Sequence, residues 1–290
     1  MEESRIDSLD QREIDFIREA YEFLEHDSLV MKLSRLVGKP IEAAQQAMPI
    51  KAQQLVNTAV QDSLLFSLKT MLKTVPSETL PPDNFINSSK KTKSIHTILA
   101  GVSGGVGGFF GAIALPVELP VSTSIMLRSI TKIAKECGED FSDPKTLLEC
   151  VAIFSYGNHK TLDEETEFNS MYFAQRLAYT KLMSDAAKYL ATQSATGLLT
   201  AKKDLAPALI TFIGKVASIF KISISKKIVA ESVPIIGSIG GSAINSLFSE
   251  HYSCVARYHF GIRSLERKYG KNRIRTIYDD IGKKLSTEAS

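Results

Sequence analysis

Residues 94–117 read SIHTILAGVSGGVGGFFGAIALPV, a run with no formal charge when His96 is neutral. Its length is enough to span a bilayer. Yet Gly101, Gly104, Gly105, Gly107, Gly108 and Gly111 oppose an isolated helix, each costing up to about 1 kcal/mol against alanine. A helix here therefore requires something that presses directly on its backbone. Gly104/Gly108 and Gly107/Gly111 have the small-xxx-small spacing that lets another helix dock without side chains between. Residues 232–249, SVPIIGSIGGSAINSLFS, repeat the chemistry with Gly237, Gly240, Gly241 and Ala243. The two segments are expected to pack on each other. Burial in protein is expected over insertion in lipid, because proline and glycine interrupt both runs and their flanking helices are amphipathic.

Helical periodicity extends in both directions from these segments. Towards the N-terminus, Ser8 and Gln11 have capping-box spacing, and Ile14, Ile17, Tyr21 and Leu24 then share one face. Leu29, Leu33 and Leu36 mark a second helix ending at Gly38, before Pro40. A longer one spans about 50–73 with Leu55, Ala59, Leu64, Leu68 and Met71, and Pro76, Pro81 and Pro82 follow it. Residues 83–93 form a polar linker. Towards the C-terminus, a helix is expected from about Pro120 to Cys137, stopped by Gly138. Asp143-Pro144 reads as N-cap and first residue of the next. Asp163 and Asp204 are expected to open two more, and residues 235–268 and 272–285 to complete the set. The one short strand-like run is 220–224. The fold class is all-α: a multi-helix bundle around two glycine-rich apolar helices. Residues 1–93 supply amphipathic helices and a linker, residues 94–290 the helical core, in one continuous domain.

Composition bounds the function. An apolar fraction of 44% and a charged fraction of 23% are those of an ordinary folded protein. Tryptophan is absent, and with it an interfacial tryptophan belt. The three cysteines, Cys137, Cys150 and Cys254, have no metal-ligand spacing and suit reduced thiols in a cytoplasmic setting. The acidic start MEESRIDSLD is not that of a secretory signal. Ten acidic residues against three arginines fill the first 30 positions, whereas basic residues prevail in the C-terminal third. Such asymmetry steers association with anionic surfaces. Neither a phosphate-binding P-loop nor a dinucleotide fingerprint in a strand–helix frame occurs, and zinc motifs are missing, so no cofactor and no metal are expected. Basic residues lack interleaved aromatics on strands, so no nucleic-acid partner is expected.

Three stretches carry a family likeness. They are GGVGGFFGAIALPVELPVSTSIMLRSITKIAKECGED (104–140), LLECVAIFSYG (147–157) and VPIIGSIGGSAINSLFSEHYSCVARYHFGIRSLERKYG (233–270). Together they resemble the EcsC protein family, named for a gene beside a bacterial ABC transporter. The likeness covers roughly 95–270. It implies a bacterial protein, cytoplasmic or membrane-associated, with a membrane transporter as partner, and implies no particular activity.

Candidate chemistry is sparse. Glu118, in LPVELP after the apolar run, is expected at a helix start and partly desolvated, facing Arg128 or another cation. His251, Val255, His259 and Arg263 fall at steps of four, a polar stripe on one helix beside Arg257. Two histidines eight apart are about 12 Å apart along the axis, too far to share a metal. Residues 101–105, GVSGG, match the nucleophile-elbow pattern of hydrolases without its strand–helix context. The preferred expectation is a non-enzymatic, membrane-associated accessory protein, with Arg128, Arg257 and Arg263 binding lipid or another anion. The alternative is a lipid- or ester-acting hydrolase with its pocket between the glycine-rich helices, using Glu118 with His251 or His259.

Overall fold

The computed structural model describes residues 9–26, 29–37, 48–74, 111–157, 170–192, 207–232 and 241–288. Among them all regular structure is helical and no strand occurs. The helices are α1 (Gln11–Tyr21), α2 (Leu29–Val37), α3 (Ile50–Thr74), α4 (Gly111–Glu136), α5 (Pro144–Ala152), α6 (Met171–Thr192), α7 (Pro207–Ser232), α8 (Gly241–Tyr269) and α9 (Lys271–Glu288). A π turn (Glu22–His26) follows α1, and a 3-10 turn (Ile153–Ser155) follows α5.

Two long helices organise the bundle. α8 packs on α4, α9, α1 and α2, and α7 packs on α3, α6, α2 and α8. Short α5 packs on α6, α3 and α4, and the 3-10 turn after it sits between α7 and α8. Every residue from Thr146 to Gly157 is buried, so LLECVAIFSYG is apolar on all sides because it meets protein on all sides. Phe154 of the 3-10 turn stacks at 4.6 Å on Phe220 of α7 and at 5.1 Å on Tyr252 of α8. The buried cluster runs from Phe16 to Ile281 and takes in α1–α3, so side chains from both sides of the 93/94 division share one core.

Local signals explain most boundaries. Asp143 caps α5, its carboxylate accepting from Lys145 N at 2.8 Å, with Pro144 at the first helical position. Gly138 (φ 77°) and Gly270 (φ 91°) end α4 and α8 in the left-handed region that side chains disfavour. At α1 the capping box is Asp10 with Glu13: Asp10 accepts from Glu13 N at 2.8 Å, and Glu13 accepts from Asp10 N at 3.0 Å, while Ser8 lies outside the described residues. On that helix Ile17, Tyr21 and the following Leu24 are buried as their spacing predicts.

Two expectations need correcting. α4 begins at Gly111 rather than near Pro120, so the helix runs through Pro116 and Pro120 and Glu118 lies two turns inside it. Each proline removes one backbone donor. Pro116 is exposed, and Leu119, Met126, Leu127 and Ile130 anchor the helix from its buried face. Residues 220–224 are helix within α7, because Phe220 and Ile224 lie one turn apart on its buried face.

The glycine-rich stretches 101–110 and 233–240, and with them the GVSGG motif, lie outside the described residues. So do Gly38 and Pro40, the 75–93 prolines and linker, Asp163 and Asp204. Gly111 and Gly241 open α4 and α8, which pack on each other. Pro207–Ala230 is the one described helix long and apolar enough to cross a membrane by length and composition, and 50% of its most apolar window is buried in the fold.

Candidate functional site

The polar stripe of α8 faces inwards. His259 is fully buried, and its Nδ1 lies 3.0 Å from the Tyr172 hydroxyl of α6. Its Nε2 lies 3.5 Å from Glu149 Oε2 of α5, and its ring stacks on Tyr156 at 5.0 Å. One turn on, Arg263 forks across two carboxylates. Its Nε and Nη2 donate to Glu139 at 2.9 and 2.7 Å, and its Nη1 donates to Glu149 at 3.0 Å. Arg267 also donates to Glu139 and to the Cys137 carbonyl. Across the seam, Arg176 of α6 holds Glu266 of α8 bidentately at 2.7 and 2.8 Å, with its guanidinium over Tyr172 and Phe173.

Each charge follows from its neighbours. Burial pushes the Glu149 carboxyl up, but the adjacent His259 ring and the Arg263 charge outweigh it and hold Glu149 at about 2. Burial also opposes charge on Glu139, and the Arg263 and Arg267 guanidiniums reverse that to keep it below the ordinary 4.5. His259 is depressed below 6.5, because burial outweighs the attraction of Glu149. A neutral ring between these partners carries its proton on Nε2, towards Glu149, and accepts from the Tyr172 hydroxyl at Nδ1. Burial pushes the Cys137 and Cys150 thiols up, which makes both poor nucleophiles.

The hydroxyl–imidazole–carboxylate order is that of a proton relay, here closed in by protein among the described residues. Tyr172, His259 and Glu149 are 2%, 0% and 5% exposed, and burial raises the Tyr172 hydroxyl far from the range of a nucleophile. The seam fastens α5, α6, α8 and the turn after α4 to one another.

The sequence-nominated residues separate. His259 and Arg263 share the seam, and the anions that Arg263 holds are the chain's own carboxylates. Glu118 is 46% exposed in its side chain and takes its cation from Lys227 at 3.2 Å. Arg128, ten residues along the same helix and so about 15 Å away, is exposed. His251 is buried against Phe23 and Tyr252, and Arg257 lies over the Tyr258 ring. Glu139, Glu149, Tyr172, Arg176 and Glu266 escaped the sequence reading. One signal was present: Glu149 is a lone acid inside the apolar run LLECVAIFSYG.

Among the described residues no group of three His, Cys, Asp or Glu side chains is placed to hold a metal ion. Fold and site together define an all-α protein with a largely buried ion network. A family model matches residues 11–265, and the chain belongs to the EcsC protein family. The match starts well before residue 95 and includes α1–α3. No curated protein and no solved structure matches the chain.

Proposed function

We propose that this chain is a non-enzymatic, membrane-associated accessory protein whose basic C-terminal surface rests on anionic lipid at the cytoplasmic face of a bacterial membrane, beside a membrane transporter. The observation that carries the reading is α9. Ile274, Tyr278 and Ile281 bury one side of it, while Lys271, Arg273 and Lys284 stand exposed on the other. Residues 266–290 contain seven basic residues against four acidic ones, an excess of three. Each lysine or arginine near an anionic surface contributes about 1 kcal/mol, enough for reversible, salt-sensitive attachment when three or four act together. The burial of His259, Tyr172 and Glu149 supports the non-enzymatic half of the reading, since these groups meet protein and not substrate.

Vesicle co-sedimentation tests it. Binding is expected to phosphatidylserine-containing vesicles at low salt, with release at high salt and none to phosphatidylcholine alone. A protein that ignores anionic vesicles, or binds them equally in high salt, does not work this way.

A further inference from the structure

Six large apolar side chains are exposed among the described residues, and four of them, Ile50, Leu55, Phe66 and Val121, lie on α3 and α4. Phe66 is 52% exposed and Val121 46%. A hydrogen bond of 2.9 Å between the Ser67 and Ser124 hydroxyls marks where the two helices meet. Val121 and Arg128, three before and four after Ser124, flank that line on α4 by helical spacing. Phe66 borders it on α3.

The outward stripe of α4 runs Glu118, Val121, Ile125, Arg128, Lys132, Glu136. Its three–four spacing is that of a helix-pairing seam. Its charges run minus, plus, plus, minus, and an anionic membrane would repel Glu118 and Glu136 at the two ends. A second protein surface with the mirrored order would not. Glu118 and Lys132 lie seven residues either side of Ile125. When two copies of α4 cross antiparallel at Ile125, each Glu118, still beside its own Lys227, faces Lys132 of the partner subunit, as a twofold contact requires. The described stripe, Glu118 to Glu136, is about 27 Å long, and with the edge of α3 the face is roughly 20 Å wide. That gives on the order of 500 Å² per partner, the size of a weak, reversible contact.

We propose that the outer face of α4, with the adjoining edge of α3, is the contact surface for a second copy of this chain. The contact is isologous, with Ile125 at the axis, Val121 and Phe66 in the apolar centre, and Glu118–Lys132 pairs at either end. Its occupant is distinct from the lipid assigned to α9, so the two readings stand or fall separately.

Sedimentation velocity on the full chain, over a concentration series without lipid, tests the proposal. A reversible dimer is expected. Val121→Arg and Phe66→Ser should each weaken it at least about tenfold with unchanged melting temperature, both positions being exposed. Lys132→Glu and Glu118→Lys should each weaken self-association by about tenfold, whereas mixing the two variant proteins should restore dimers. A monomer at every concentration, a dimer indifferent to Val121 and Phe66, or a mixture no tighter than its components overturns the proposal. So does a monomer whose vesicle binding depends on Phe66, which would assign the face to lipid.

Discussion

Arg263 meets two buried carboxylates: Glu139, which Arg267 also reaches, and Glu149, whose guanidinium contact among the described residues is Arg263. Its replacement by Met should cost about 3–5 kcal/mol in urea unfolding, the range for breaking a buried pair and leaving its partner charged. Lysine should rescue little, since one ammonium cannot reproduce the fork across Glu139 and Glu149. The same residues set the pH response. Glu149 is held at about 2 from its ordinary 4.5, so in that window the unfolded chain binds more protons than the folded one. The stability it contributes is complete above 4.5 and is lost as pH falls towards 2. His259, depressed from 6.5, adds a loss that begins once pH drops below that value. Urea midpoints should therefore fall steadily with acidification, and Glu149→Gln should flatten the part below 4.5. A wild-type midpoint constant through that range would contradict the charge assignment.

At the scale of elements, the N-terminal helix is fastened by shape and by capping. Phe16 fills the space where Gly261 of α8 has no side chain; a Cβ there would lie 2.2 Å from the ring. Tyr21 does the same over Gly282 of α9, at 2.4 Å. Gly261→Ala and Gly282→Ala should each destabilise by about 1–3 kcal/mol through overpacking. Hydrogen exchange should quicken in α1, and Phe16→Leu should partly restore the Gly261 variant but not the Gly282 variant. Glu25 in the π turn is the second fastening. It accepts from the Ser170 hydroxyl at 2.6 Å, from the Met171 and Tyr172 backbone N–H groups at 3.2 Å, and from the Tyr278 hydroxyl at 3.3 Å. It thus satisfies the free donors at the start of α6. Glu25→Ala should cost about 1–2 kcal/mol and fray the first turn of α6.

For the whole molecule, α9 is both a core element and the basic surface, so deleting it would remove Ile274, Tyr278 and Ile281 from the core along with the charge. Reversing Lys271, Arg273 and Lys284 to glutamate separates the two roles. The melting temperature should hold within a few degrees while binding to anionic vesicles falls by tenfold or more. Unaltered vesicle binding in that triple variant would remove α9 from the lipid contact.

Helix identity was written locally, and the sequence alone determined it. Asp143-Pro144, Gly138 and the Ile17–Tyr21–Leu24 stripe act within a few residues of themselves, so capping and periodicity are legible without neighbours. The start of α4 was not, because proline rules weigh the lost donor and cannot see the tertiary contacts that carry the helix through Pro116 and Pro120. The seam was out of reach for the same reason. Arg263 and Glu149 are 114 residues apart in sequence, and Arg176 and Glu266 are 90 apart. The α8 stripe showed that His259 and Arg263 share a face. Only the packing of α5, α6 and the turn after α4 against that face decided which partners meet them, and buried His259.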